Sequence, residues 1–312
     1  MVPATLPGLI LGHQRQTAGS VQLDTVRVHL VPAFVPGNST DYHCPVPVES
    51  VDDAADPRFA DYGGIPDPEL ARARGVFVAE GRLVVRRLLE SRFVTRSVMV
   101  TATAFEAVAD FVDARPGLPV FVVPQDLMNA VAGFNIHRGC LAIGERPAAV
   151  AWDELADGAS TLVALERVGN ADNVGATFRA AAAFAAGGVL LDAACADPLY
   201  RKAIRTSMGA SLQVRFASDV PWPAALTALR DRGWMVVGLS PAATEPLPPV
   251  LGATHGRRVV LVLGHEGDGL TPGAASACTH LARIPMTGAV DSLNVAMAAG
   301  IALYELQRAT RW

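Results

Sequence analysis

Between Ser160 and Leu263, short runs of branched apolar residues keep interrupting helix-length segments, and this alternation is the strongest constraint on what the chain folds into. Ser160–Leu165, Gly188–Leu191, Gln213–Phe216, Trp234–Leu239 and Arg258–Leu263 read as strands. Val174–Ala186, Arg201–Met208 and Ala224–Arg232 read as helices between them. Strands spaced by helices imply an α/β class with a mostly parallel sheet. In such sheets ligands bind beyond the carboxyl ends of the strands, so the loops leaving those ends are where chemistry is sought.

An earlier unit has the same alternation on a smaller scale. Gly75–Gly81 reads as a strand leading into a helix at Arg82–Ser91, followed by strand Ser97–Thr101, helix Ala104–Ala114 and strand Val120–Val123. Gln125–Val131 reads as a helix, and His137–Ile143 as a turn into a last strand. Residues 56–147 therefore form a small α/β/α domain, residues 148–160 a linker, and residues 161–312 the larger domain. Residues 1–55 show no sustained periodicity and carry Pro3, Pro7, Pro32, Pro36, Pro45 and Pro47, the pattern of an irregular leader.

Composition excludes several function classes. At 312 residues and 51% hydrophobic, the chain has ample core for two domains. The longest apolar run, Ala180–Leu191, is too short to cross a bilayer, and no basic region precedes the apolar patch at Leu6–Leu11, so neither a membrane span nor a secretory signal is read. Cys44, Cys140, Cys195 and Cys278 are isolated and without histidines at ligand spacing. They are expected to be reduced, buried thiols of a cytoplasmic protein, with no metal site. A net charge of −4 does not advertise a nucleic-acid protein.

The placement of the basic residues says more than their sum. Lys202 is the only lysine; the rest are arginines, which suit bidentate phosphate contacts, although a genomic bias toward arginine explains that equally well. Arg82 and Arg86 share the polar face of the first helix, Arg138 follows His137 in a glycine-bounded loop, and Arg201, Lys202 and Arg205 open a later helix. All six are candidate RNA contacts; a merely solvated face is the plainer reading.

Loops after strand ends hold unusual polar residues: Glu166–Arg179, Leu263–Leu270 and Ile284–Val295. In the last, Pro285 forces the chain out of the sheet after Ile284, and Gly288 permits a sharp bend. Ser292 is placed to cap the apolar helix Ala296–Leu306, while Asn294 sits in its first turn with its amide free for a ligand. A capped core helix and a binding site both fit that segment alone. There is no G-x-x-x-x-G-K-[ST] phosphate loop, G-x-G-x-x-G spacing or G-x-S-x-G elbow, so nucleotide-phosphate and hydrolytic chemistry lose support.

Together, Asn173-Val-Gly175-Ala-Thr-Phe-Arg179, Gly264-His-Glu266-Gly-Asp-Gly269-Leu270 and Ile284-Pro-Met286-Thr-Gly288 through Ser292-Leu293-Asn294 closely resemble the three motifs of the SpoU, or TrmH-like, RNA ribose 2′-O-methyltransferases of the SPOUT superfamily. The resemblance covers about residues 160–312, in the family's order. Residues 74–146 look like the L30e-like RNA-binding domain that precedes the catalytic domain in many members. The leader matches neither.

The resemblance implies a deep trefoil knot at the C-terminus, a homodimer, and S-adenosyl-L-methionine as cofactor. It also implies methyl transfer to a ribose 2′-hydroxyl of rRNA or tRNA, with rRNA favoured by the L30e-like extension. Carried over by position, it puts the cofactor among Leu239, Gly264, Glu266, Ile284, Met286 and Leu293, and makes Arg179, Asn173, Glu266, Ser292 and Asn294 the catalytic set. Arg179 is the family's proposed base. An arginine stays protonated in proteins, however, so a clamp on phosphate and on a developing alkoxide is the competing role. A non-catalytic RNA-binding protein retaining the fold is the alternative, and the filled motif loops argue against it.

Overall fold

The structure, a computed structural model, describes residues 48–254, 256–288 and 290–311. Its first unit comprises β1 (Val48–Ser50), α1 (Asp67–Arg74), β2 (Val76–Glu80), α2 (Arg82–Glu90), β3 (Thr95–Val100), α3 (Ala102–Phe105), α4 (Ala109–Asp113), β4 (Val120–Val122), α5 (Gln125–Ala132) and β5 (Cys140–Glu145). These build a five-stranded sheet of order β1-β4-β3-β5-β2. Strand β5 runs antiparallel to β2 and β3, while β4 is parallel to β3 and β1. Helix α2 buries Val84, Val85, Leu88 and Leu89 and turns Arg82 outward, as the helical spacing of its apolar residues requires.

The second unit comprises α6 (Trp152–Asp157), β6 (Thr161–Leu165), α7 (Ala171–Ala183), β7 (Gly188–Leu191), α8 (Arg201–Thr206), β8 (Phe216–Ala217), α9 (Ala224–Asp231), β9 (Met235–Leu239), β10 (Glu245–Pro246), α10 (Leu247–Gly252), β11 (Val259–Leu263), α11 (Pro272–Ala277), β12 (His280–Arg283) and α12 (Val295–Arg311). Its seven-stranded sheet has the order β10-β12-β9-β11-β6-β7-β8, and every pairing is parallel. Strand β11 is buried along its whole length because it lies at the centre with helices over both faces. Helix α12 follows β12 and packs on α7, α10 and β11.

The two units meet through α8, which packs on β2. Arg201 anchors the junction: its backbone N–H and Nε donate to Asp67 (2.8 and 2.9 Å) and its Nη2 to the Ile65 carbonyl (3.1 Å). Arg87 Nη1 donates to the Met208 carbonyl at 2.5 Å, and Arg146 pairs with Asp197.

Several boundaries differ from the sequence reading. The expected leader, residues 1–55, lies outside the described residues as far as 47, but its end supplies β1, parallel to β4. A three-residue strand is too short to register as a period, and an edge position tolerates the prolines before it. The expected linker, 148–160, contains α6, whose Leu155 and Ala156 are fully buried. Helix Ala104–Ala114 is two short helices, the first capped by Thr101. Ile284 lies just past the end of β12 rather than in it. Helix α7 starts at Ala171 rather than Val174, because Asn170 is its N-cap and accepts from the Asp172 N–H at 2.9 Å. Asn170, Asp172 and Asn173 are all competent caps, and the composition of the segment does not choose among them.

Candidate functional site

Strands β6, β11, β9 and β12 are successive parallel neighbours, so their carboxyl ends open along one edge. The loops leaving β9, β11 and β12 enclose a cavity of about 420 Å³ there. All six residues expected to hold a cofactor, Leu239, Gly264, Glu266, Ile284, Met286 and Leu293, line it, as does Ser292. Its walls include the acids Glu266, Asp268 and Asp291 and the apolar Leu239, Leu263, Leu270 and Val295; none of the lining residues is Lys or Arg.

The loop after β11 folds back on itself. His265 and Gly269 exchange backbone hydrogen bonds (3.1 and 2.9 Å). The Nδ1 atom of His265 accepts from the N–H groups of Gly267 and Asp268 at 3.0 and 3.2 Å, which leaves the ring proton on Nε2. Gly264 admits no side chain, since a Cβ would lie 2.4 Å from the backbone of Gly269. At the other wall, Gly288 takes φ of +81°, the left-handed bend that the sequence anticipates.

A hydrogen-bond chain ties the motifs together. Asn294 Nδ2 donates to Asn173 Oδ1 at 2.9 Å, and Asn173 Nδ2 donates to Glu266 Oε1. A second tie is the ion pair of Arg167 with Asp268. The Oδ1 atom of Asn294 also accepts from the N–H groups of Ala296 and Met297 (3.0 and 3.3 Å). Asn294 is therefore the cap of α12, which corrects the expectation that Ser292 caps and that the Asn294 amide is free. Ser292 lies outside the helix start and is exposed at the cavity instead.

Arg179 stands apart. It is exposed on α7, does not line the cavity, and makes no hydrogen bond or ion pair among the described residues. Of the six candidate RNA contacts, Arg82, Arg138 and Arg205 are likewise exposed and without ion pairs among the described residues. Arg138 lies across Gly81, next to Arg82. Arg86 is occupied locally, stacked 4.4 Å from the Phe111 ring centroid, and Arg201 is committed to the junction. Lys202 Nζ sits 2.8 Å from Asp172.

Glu166 carries no assignment from the sequence. It is 1% exposed, and its carboxylate accepts from Trp222 Nε1 (2.8 Å), Thr271 N (2.9 Å) and Thr271 Oγ1 (2.7 Å). It thus pins the exit of the Gly264–Leu270 loop, since Thr271 caps α11. A lone acid directly after the apolar run Leu162–Leu165 is the signal that points to it. Burial pushes the thiols of Cys140 and Cys278 up to about 12, which keeps them protonated. Among the described residues no cluster of three or more His, Cys, Asp and Glu is placed to hold a metal, and no helix is long and apolar enough to cross a membrane.

Comparison with known proteins agrees with this arrangement. The model of the SpoU rRNA Methylase family matches residues 160–304. A Mycobacterium bovis protein named as an uncharacterized tRNA/rRNA methyltransferase is 36% identical over 84% of this chain and 92% of its own length. A solved rRNA methyltransferase from Sinorhizobium meliloti, with AdoMet bound, superposes with a TM-score of 0.71 at 28% identity, over 84% of this chain and 98% of that one. The SpoU methyltransferase AviRb from Streptomyces viridochromogenes has a TM-score of 0.68 at 23% identity, over 80% of this chain and 96% of its own, a likeness of fold. With its motif loops meeting at one sheet edge, this chain belongs to the SpoU methylase family of RNA methyltransferases.

Proposed function

We propose that the chain transfers a methyl group from S-adenosyl-L-methionine to a ribose 2′-hydroxyl of rRNA or tRNA, with rRNA favoured. The observation that carries the reading is the cavity's charge: acids line it, and no Lys or Arg does. Such a wall suits a cationic nucleoside without phosphates and disfavours nucleotide phosphates, which call for arginine or lysine; the one long helix that starts at the wall, α12, already has its first N–H groups capped by Asn294. Bound there, S-adenosylmethionine supplies a methyl group made electrophilic by its sulfonium.

The chain's own residues divide the remaining work. Leu239, Gly264, Ile284 and Met286 offer backbone groups and apolar walls, and Leu293 an adenine contact. Asn173, held between Glu266 and Asn294, fixes the wall nearest α7. Arg179, free of protein partners among the described residues, holds the phosphate beside the reacting ribose and favours negative charge developing on its 2′-oxygen. Ser292, exposed at the cavity, offers a hydroxyl for orienting that ribose. The first unit, an L30e-like module, reads RNA shape through Arg82 and Arg138.

The packing of α12 on α7 after β12 is in keeping with the trefoil knot the family resemblance implies. Met297, Ile301 and Tyr304 leave an apolar stripe on the outer face of α12, the surface on which a second copy of the chain packs. Incubating the protein with methyl-labelled S-adenosylmethionine and unmodified rRNA or tRNA transcripts, then digesting to nucleosides, tests the reading. Label in 2′-O-methylnucleosides is expected. Label only in base-methylated nucleosides, or none despite cofactor binding, overturns it.

A further inference from the structure

A second concavity lies at the junction of the two units, away from the cavity. It has a volume of about 320 Å³, near the lower end of sites that hold small ligands, roughly 300–1,000 Å³. Phe134, just after α5, lines it and is 42% exposed. The Arg201 guanidinium lies 5.9 Å from the Phe134 ring centroid and is itself fixed by Asp67 and the Ile65 carbonyl, so the ring rests beside a rigid support. Lys202 and Arg205 line the same groove, and Arg205 is exposed without an ion pair among the described residues. Of the two acids there, Asp67 is paired with Arg201; Lys202 is paired with Asp172 but keeps 54% of its side chain exposed, and Arg205 faces Glu80 with no ion pair among the described residues.

We infer that this groove is a subsite for an unpaired nucleotide of the RNA substrate, its base stacked on Phe134 and its phosphates met by Lys202 and Arg205. The inference rests on the RNA-methyltransferase reading and adds to it where, and in what conformation, the substrate is gripped. An aromatic face flanked by cations is what stacking of an unpaired base with a backbone contact requires, and a base inside a duplex has no free face to offer. A single ring bounded by charges lacks the contiguous apolar centre of a protein interface. The groove is also coupled to the site. Lys202 Nζ lies 2.8 Å from Asp172, and Thr206 Oγ1 donates to the same carboxylate at 2.7 Å. Asp172 is the neighbour of Asn173 on α7, so a nucleotide held by α8 is in register with the helix that carries Asn173 and Arg179.

The test measures binding of three fluorescein-labelled probes to the full chain at fixed salt: a single-stranded RNA dodecamer, the same strand with all bases removed, and a duplex. Phe134→Ala is expected to bind the single strand about tenfold more weakly, with the abasic strand and S-adenosylmethionine bound as by the wild type. Phe134→Trp is expected to bind all three as the wild type does. Equal affinity of Phe134→Ala and wild type for the single strand overturns the subsite while leaving the RNA reading intact. A wild-type protein that binds none of the probes overturns both. Self-association of the wild type that Phe134→Ala abolishes assigns the groove to a second copy of the chain and overturns the proposal.

Discussion

The two concavities of the molecule are near opposites. The cavity at the carboxyl ends of β9, β11 and β12 is walled by Glu266, Asp268 and Asp291 with no lysine or arginine, whereas the junction groove gathers Arg201, Lys202 and Arg205 around an exposed phenylalanine. Under the proposed function their difference explains how a chain of net charge −4 serves a polyanion: the RNA phosphates are met at the arginine- and lysine-bearing groove, and the cationic cofactor at the acid-lined cavity. Arg179 lines neither concavity; it lies on α7 beyond Asn173, and under the proposed function it meets the RNA phosphate beside the reacting ribose.

The largest effect that can break this division is therefore at Arg179. Arg179→Ala should lower the single-turnover methylation rate by about 10²–10³-fold, the usual cost of removing one donor to a developing negative charge. Affinity for S-adenosylmethionine should stay unchanged, because Arg179 does not line the cavity. A parallel loss of cofactor binding would place Arg179 in the cofactor wall and undo the contrast. Arg179→Lys should recover only part of the rate, since an ammonium cannot reproduce the planar fork.

Next comes the hydrogen-bond chain. Asn173 is 8% exposed, and Asn173→Ala removes its hydrogen bonds to the solvent-exposed Glu266 carboxylate and Asn294 amide. We expect a stability loss of about 0.5–1.5 kcal/mol, read by thermal or denaturant melting, together with weaker cofactor binding. Unchanged stability would mean that the motif loops hold their positions independently of one another.

How much of this was legible in the sequence depended on where each partner lies. The parallel sheet was legible because Ser160–Leu165 and Arg258–Leu263 carry their signal locally, in runs that only a doubly covered strand tolerates. The cavity wall was legible because the resemblance to the family's motifs carries Leu239, Gly264, Ile284 and Met286 over by position, and these lie at or just past the ends of β9, β11 and β12. Glu166 was not, because what satisfies its buried carboxylate is Thr271, 105 residues on. The capping of α12 was misread for a different reason. Serine and asparagine are comparable caps, and only the backbone path after Gly288 decides that the helix begins at Val295 rather than nearer Ser292. Arg86 and Arg201 looked equivalent to Arg82 and Arg205 along the chain, but the ring of Phe111 and the carboxylate of Asp67 occupy them in the fold.

Salt sharpens the comparison at a smaller scale. Raising monovalent salt fourfold should weaken single-strand RNA binding about twentyfold, if roughly three phosphates are engaged. Binding of S-adenosylmethionine in a walled cavity should move by no more than about twofold. Equal salt dependence of the two would mean that cofactor and RNA share one electrostatic surface.

The smallest effect expected is at Asp172, where the groove is tied to α7. Its carboxyl is held below the ordinary 3.8 first by the hydrogen bond from Lys202 and then by that from Thr206. A carboxyl depressed in the folded state contributes stability that is complete above its unfolded value and is lost as pH falls through the lower folded value. The window is therefore strongly acidic, below about pH 4. The side chain of Asp172 is 41% exposed, so solvent screens the pair and its contribution at neutral pH should stay under about 1 kcal/mol. Lys202→Met should thus cost at most that much at pH 7, and the gap to wild type should close as both are melted at successively lower pH. The same variant should weaken RNA binding several-fold while sparing the cofactor. A cost that persists undiminished in acid would mean that the lysine stem, and not its charge on Asp172, holds α8 against α7.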